Sequence, residues 1–139
     1  DEARLKSLGI TPLQPSLDTI DAIDSPHALA QALAELGLMT DDAILFAAAV
    51  KTDIQDSSVY GVIAGGAELG MTSSDDYLNK DKAANREAYL NYVAANFELL
   101  GNPSDQAMSE AHTVLEMETR LAGSSLTPVE MADPNKLFT

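Results

Sequence analysis

The chain has 139 residues, 45% of them apolar and 22% charged, which is enough for one domain with its own core. Eight basic residues stand against 22 acidic ones, and the net charge of −14 argues against nucleic acid or an anionic membrane surface as a partner. The sequence has no apolar run long enough to insert into a membrane, and the absence of cysteine excludes disulfides and thiolate zinc sites.

The first 40 residues predict two short helices. One begins near Pro15, and its apolar side chains recur every three or four residues along one face: Leu13, Leu17, Ile20 and Ile23. The other begins at Ser25 and Pro26, because serine caps a helix and proline is tolerated in the first turn. Gly37 is expected to end its apolar stripe, which consists of Leu29, Ala32, Leu33 and Leu36.

The next segment predicts a small β-hairpin. An apolar run over residues 44–50 is followed by a polar stretch and then by residues 59–64, which are rich in valine, isoleucine and tyrosine. Gly65 and Gly66 close the second strand.

Three more helices are expected after the hairpin. Ser73 and Ser74 precede acidic residues and predict a short helix. Residues 81–100 form a long helix that Gly101 ends; its stripe is Ala88, Tyr92, Ala95 and Leu99, flanked by Tyr89, Val93 and Leu100. Asn102 and Pro103 begin the last helix, which Gly123 ends; its apolar residues are Ala107, Met108, Ala111, Val114, Leu115, Leu121 and Ala122.

The two long helices should supply much of the core. Burial of a leucine contributes about 2 kcal/mol, and this is expected here for Leu99, Leu100, Leu115 and Leu121. Residues 124–139 contain two prolines and no periodicity, so they predict a linker. Met108 and Met117 fit core packing better than a partner groove.

One pair of side chains suggests a metal site. His112 and Glu116 lie one helical turn apart and are both possible zinc ligands. Two ligands do not make a site, however, and the other imidazole, His27, is far away in sequence. Glu116 also precedes Arg120 by one turn, which favours an exposed ion pair.

Pairs of aspartates could bind calcium or act as catalytic carboxylates. None has the alternating spacing of an EF-hand loop. Thr40 and Ser74 precede two of the pairs, which favours helix caps and turns. The pairs are Asp41 with Asp42, Asp53 with Asp56, and Asp75 with Asp76.

Glycines and serines give no catalytic motif. Gly65, Gly66 and Gly70 lack the spacing of a phosphate-binding loop. No serine lies in a G-x-S-x-G turn. The sequence therefore assigns no catalytic, cofactor-binding or metal-binding residue.

Five pieces of sequence, taken in order, suggest a family. The first two are an aspartate-rich hairpin and a Leu-Gly-Met…Asp-x-Tyr-Leu stretch, and the later ones lie on the two long helices and in the final linker. Departures occur at Thr72, Ser74, Asp76, Phe138 and Thr139. The matching residues are Asp53, Asp56, Ser57 and Tyr60; Leu69, Gly70, Met71, Asp75, Tyr77 and Leu78; Ala88, Tyr89, Leu99, Leu100 and Gly101; Val114, Leu115, Glu118, Leu121 and Ala122; and Asp133, Pro134 and Lys136.

This order resembles the N-terminal domain of the neprilysin family of zinc metallopeptidases, including bacterial oligoendopeptidase O. The resemblance implies a mainly α domain, a helical lid with a small β-hairpin, in which residues 1–123 belong to the lid and residues 124–139 lead to the remainder. The lack of cysteine favours a bacterial member, and the start at Asp1 rather than methionine suggests a piece of a longer protein.

The resemblance also implies where the chemistry lies. Catalysis in this family uses zinc on an H-E-x-x-H helix and a Glu-x-x-x-Asp helix, and neither motif occurs here. The chain is therefore expected to be a non-catalytic fragment that binds no cofactor; zinc belongs to the full-length parent. Its expected role is to help roof the central cavity of an enzyme that hydrolyses short peptides, with the catalytic domain of the same chain as partner.

Two other functions stay open from the sequence. A stand-alone acidic helical module for protein interaction would need no enzymatic parent. A small metal-binding regulatory domain would use His112 and the aspartate pairs. The compartment is not determined, with the bacterial cytoplasm slightly favoured.

Overall fold

The computed structural model describes residues 2–40, 44–53, 56–66, 69–126, 130 and 133. The chain divides into two compact units, Asp1–Ala47 and Ala48–Thr139, and the division falls within the first strand. The predicted fold class, mainly α with a small hairpin, is confirmed. Within the described residues, no helix is both long enough and apolar enough to cross a membrane.

The first unit consists of short helices. Helix α1 covers Glu2–Leu8, a 3₁₀ turn covers Thr11–Leu13, α2 covers Gln14–Asp21, and α3 covers Pro26–Thr40. The first predicted helix is therefore α2, which begins next to Pro15 as expected and ends two residues before Ile23. The core of this unit is small, since Ala32 is its only buried apolar residue among those described.

Helix α3 begins as predicted and ends later than predicted. Ser25 Oγ accepts a hydrogen bond from the backbone N–H of Ala28 at 3.1 Å, which is the expected cap. The prediction that Gly37 ends the helix is wrong, because the helix continues to Thr40. A glycine inside a helix costs only about 1 kcal/mol, so its neighbours can hold it in helical conformation.

Removal of the α3 cap should have a measurable cost. Ser25→Ala is expected to lower the free energy of unfolding by about 1 kcal/mol, because the N–H of Ala28 loses its acceptor. Ser25→Asp, which keeps an acceptor oxygen, should retain most of the stability. Urea unfolding of the two variants checks this; equal losses would show that the cap contributes nothing.

The predicted hairpin is confirmed, with strands shifted by about two residues. Strand β1 covers Phe46–Thr52 and pairs with β2, Tyr60–Gly66. The N–H of Asp53 donates to the carbonyl of Val59 at 3.0 Å, at the end of the strands nearest the turn. Asp56 shapes that turn, because its Oδ1 accepts from both the N–H and the hydroxyl of Ser58, at 2.9 and 2.6 Å.

The second unit is built around an antiparallel helical pair. The short helix α4, Ser74–Leu78, and a 3₁₀ turn, Lys80–Lys82, lead into α5, Ala83–Leu99. Gly101, with φ of +106°, allows the sharp turn into α6, Ser104–Ser124. Helices α5 and α6 pack along each other, and α4 packs against both.

Close packing between these helices depends on alanines. Ala107 and Ala111 have no exposed surface, and Ala94 and Ala122 are also buried. Apart from Tyr77, which is 3% exposed, the buried apolar residues described in this unit are all alanines, so small residues bring the backbones together. The predicted stripe of α6 is therefore confirmed except at Leu121, which is 44% exposed because it lies at the edge of the buried face. The prediction of core packing is also wrong for Met117, which is 50% exposed.

The predicted stripe of α5 is wrong. Tyr92 is 66% and Leu99 is 76% exposed, so Leu99 adds no core burial within this chain. The face that packs is rotated: it contains the three flanking residues of the prediction and three more apolar positions. These residues are Tyr89, Leu90, Val93, Ala94, Phe97 and Leu100. Because α5 is apolar on two sides, its pattern alone does not select the face that meets α6.

After Ser124 the structure describes few residues. Ser125 and Leu126 are exposed, and the N–H of Asp133 donates to the carbonyl of Glu130. The predicted linker, residues 124–139, otherwise lies outside the described residues, so it stays a prediction.

Candidate functional site

The strongest polar cluster in the described part of the chain lies where α4, α5 and α6 meet. We call Tyr77, Tyr89 and Glu118 the tyrosine–glutamate cluster. Each helix supplies one member: Tyr77 comes from α4, Tyr89 from α5 and Glu118 from α6. The rings of Tyr77 and Tyr89 contact each other edge to face, with centroids 6.4 Å apart.

Glu118 holds the segment that follows the hairpin. One carboxylate oxygen accepts from the N–H of Gly70 at 3.2 Å, and the other accepts from the hydroxyl of Tyr77 at 3.0 Å. The Tyr77 hydroxyl in turn accepts from the N–H of Met71 at 2.8 Å. Two consecutive backbone donors are thus attached to α6, directly or through one tyrosine, across more than 40 positions of sequence.

Gly70 is required by this arrangement. A Cβ atom at this position would lie 1.9 Å from the hydroxyl oxygen of Tyr89 and 2.6 Å from its Cζ. The backbone at Gly70 therefore passes directly beside the edge of the Tyr89 ring. Only glycine leaves room for that approach.

Hydrogen bonds at both ends of α4 hold the helix that carries Tyr77. Ser73 caps α4 by accepting from the N–H of Asp75. Arg86 Nη1 donates to the carbonyls of Asp76 and Asn79 at 2.8 and 2.7 Å, which satisfies acceptors at the end of α4. The predicted cap before Asp75 is confirmed, with Ser73 rather than Ser74 as the cap.

Burial makes both tyrosines of the cluster weaker acids. Burial raises the pKa of Tyr77 to about 12, and its hydrogen bond to the Glu118 carboxylate acts in the same direction. Burial also raises the pKa of Tyr89, to which the Glu118 carboxylate again contributes. Both hydroxyls are protonated at neutral pH, and that of Tyr77 donates to Glu118, so the cluster can anchor the backbone at Gly70 and Met71.

These shifts predict a loss of stability in alkali. The folded pKa of Tyr77 lies above the ordinary value of 10.0, so the unfolded chain releases this proton first, and the free energy of unfolding should fall as pH rises from 10 to about 12. Tyr77→Phe, which has no proton to lose, should flatten that decline. Urea midpoints across this pH range check the expectation; equal declines in both proteins would contradict it.

The metal candidates belong to no group of three possible ligands among the described residues. His112 and Glu116 are exposed on α6, and His27 is exposed on α3 in the other unit. Within the described ranges, no three histidine or acidic side chains lie close enough to hold a metal ion. The described residues therefore do not fit a zinc site. The expectation that the segment binds no metal stays a prediction.

Asp53 and Asp56 have the local turn role that their spacing indicates. Asp53 Oδ1 accepts from the N–H of Asp56 at 3.1 Å, and Asp56 closes the hairpin turn. Hydrogen bonds from the side chain and backbone of Ser58 lower the pKa of Asp56. Thr40 is not a cap, since it ends α3 and donates to the carbonyl of Leu36. Asp41 and Asp42 lie outside the described residues.

Comparisons with known proteins decide the family. The N-terminal profile of the family described as "Peptidase family M13" matches residues 1–139, the whole chain. The chain belongs to peptidase family M13. The resemblance to this family is therefore confirmed. Three of the family-like residues form the tyrosine–glutamate cluster, and a fourth, Gly70, packs against it.

Two solved structures share this fold. The zinc metalloprotease Zmp1 of Mycobacterium tuberculosis, in its open state, matches 97% of the M13 chain with a TM-score of 0.84 and 29% identity. The same protease in complex with an inhibitor matches 91% with a TM-score of 0.79, also at 29% identity. The M13 chain spans only 21% and 19% of those chains. A comparison with curated proteins gives no match.

The sequence contains the residues of the candidate site but does not show that they are in contact. Tyr77, Tyr89 and Glu118 belong to the family pattern, but nothing in their spacing shows that they meet. Gly70 belongs to the Leu-Gly-Met stretch, and that motif by itself does not show its tight contact with Tyr89.

Proposed function

We propose that this chain is the N-terminal, non-catalytic part of a bacterial zinc metalloendopeptidase that hydrolyses short peptides, and that it helps roof the central cavity. Residues 1–123 would belong to the helical lid, and residues 124–139 would lead toward the catalytic domain of the same chain. The observation that carries this proposal is the match of 97% of the chain to one part of a zinc metalloprotease, at a TM-score of 0.84.

A lid made this way would select substrates by size. Two domains that enclose a chamber admit short peptides and exclude folded or long chains without recognising sequence. The lid must be rigid for this purpose, and close contact of α5 and α6 through buried alanines supports rigidity. No residue of the described segment is assigned to the reaction itself.

The first test is genetic. Reading the gene beyond the codon for Thr139 should reveal H-E-x-x-H followed by Glu-x-x-x-Asp in the same frame. A stop codon shortly after Thr139 would overturn the enzymatic reading and favour the acidic interaction module.

The second test measures size selection with the full-length protein. Its kcat/KM should fall steeply along a series of peptides that share one cleavage site and increase in length. Chelation should abolish cleavage, and zinc should restore it. If an unfolded protein is cleaved as fast as the short peptides, the proposal that the lid restricts substrate size is wrong. If no peptide is cleaved in the presence of zinc, the proposal that the full-length protein is a zinc peptidase is wrong.

The matched variants for this test lie on α6. Ala111→Leu places a large side chain at a position with no exposed surface and should loosen the lid, so that longer peptides are cleaved faster relative to short ones. Ser109→Leu makes a similar change at an exposed position of the same helix and should leave the length profile unchanged. Identical profiles for both variants would argue that lid packing has no role in size selection.

A further inference from the structure

Helix α5 carries a second apolar face that nothing in the described chain covers. We define it as Ala88, Tyr92, Ala95 and Leu99. All four residues are exposed, and Tyr92 and Leu99 keep 66% and 76% of their surface open. At 3.6 residues per turn, this face lies roughly opposite the one that contains Val93 and meets the rest of the unit.

Polar strips separate the two apolar faces. Asn85 and Asn96 lie along one side of α5, and Glu87, Asn91 and Glu98 lie along the other. The second face itself carries no charge, although the chain has a net charge of −14. Two apolar faces divided by narrow polar strips are typical of a helix inside a larger protein rather than on its surface.

The spacing on the second face fits another helix. Its members follow one another at intervals of four, three and four residues, which is the repeat of a helix–helix seam. The two alanines allow a close approach of backbones, as the buried alanines of α6 do on the other side of α5. Stacking on Tyr89, with ring centroids 6.4 Å apart, already orients the side chain of Tyr92.

We propose that a helix from the same polypeptide, C-terminal to Thr139, packs on the second face of α5. This rests on the proposed function, in which the chain continues into a longer peptidase. The length argument supports it, because the chain spans only 21% of the solved protease that shares its fold. A second copy of this chain is a poorer occupant, since two chains that each have a net charge of −14 repel each other.

Site-specific photocrosslinking in the full-length protein tests this contact. A photoreactive phenylalanine analogue replaces Tyr92, and a matched control carries it at the exposed neighbour Asn91 in the polar strip. Illumination should link position 92 within the same molecule to one segment beyond Thr139, identified by mass spectrometry. The yield at position 91 should be lower by about tenfold, because crosslinking needs direct contact.

Other outcomes would overturn the proposal. A crosslink to residues 1–47, to a second copy, or only after a peptide substrate is added names a different occupant. Equal yields at positions 91 and 92 would show that the second face is open to solvent.

Thiol labelling provides a second measurement if the bulky analogue disturbs folding. Ala95→Cys should react more slowly than Glu87→Cys by at least about tenfold in the native protein, after each rate is normalised to that of the denatured protein. Equal normalised rates would overturn the proposal. Neither experiment depends on activity. A crosslink beyond Thr139 without size selection would support the helix contact and refute the proposed role in size selection. Size selection without that crosslink would support the proposed role and refute the helix contact.

Discussion

Gly70→Ala is expected to lower the free energy of unfolding by about 3 kcal/mol, although it adds a single methyl group. The new Cβ would lie 1.9 Å from the hydroxyl oxygen of Tyr89, so the ring must move. That movement disturbs its contact with Tyr77 and its approach to the Glu118 carboxylate. Urea unfolding followed by circular dichroism measures the loss.

A double-mutant cycle identifies the cause of that loss. In a Tyr89→Leu background the obstructing ring is absent, so Gly70→Ala should cost less than about 1 kcal/mol. Gly65→Ala serves as the matched control, because a Cβ there meets nothing within 4 Å. An undiminished cost in the Tyr89→Leu background would refute the steric explanation.

Glu118→Ala is expected to destabilise the chain by a similar amount, about 3 kcal/mol. The change removes the acceptor of the Gly70 N–H and of the Tyr77 hydroxyl, and Tyr77 is only 3% exposed. A buried donor without a partner loses its hydration and gains nothing in return. The segment around Gly70 and Met71 would then be released from α6, which protection of these amides from hydrogen exchange would report.

Two variants serve as controls for Glu118→Ala. Glu118→Gln keeps one acceptor oxygen and should cost about half as much. Glu116→Ala lies two residues away on the exposed side of α6 and should change stability by less than about 0.5 kcal/mol. If Glu116→Ala and Glu118→Ala were equally destabilising, the loss would come from the helix itself and not from the cluster.

The tyrosine–glutamate cluster explains why separate pieces of the family pattern occur together. Gly70 follows the hairpin, Tyr77 and Tyr89 lie on two helices, and Glu118 lies near the end of a third. In the sequence they belong to separate motifs, whereas in the fold they contact one another. A change at one of them should therefore be felt at the rest, and the double-mutant cycle above measures that coupling.

Local patterns in the sequence determined the elements of this protein. Ser25 and Ser73 begin helices because their hydroxyls accept backbone N–H groups, and Gly101 ends one because it tolerates a positive φ. The hairpin follows from two apolar runs around an aspartate-rich turn. The family could also be recognised from the order of its motifs, without knowledge of their contacts.

Tertiary structure alone decided which faces pack and which polar groups meet. Helix α5 is apolar on two sides, so its sequence is equally compatible with burial of Leu99 or of Val93, and packing of α6 selected the side that contains Val93. Likewise, the bonds from Gly70 and Tyr77 to Glu118 join residues more than 40 positions apart. Periodicity reports only neighbours within a few turns of the chain, and contacts between distant segments depend on how the whole fold is assembled.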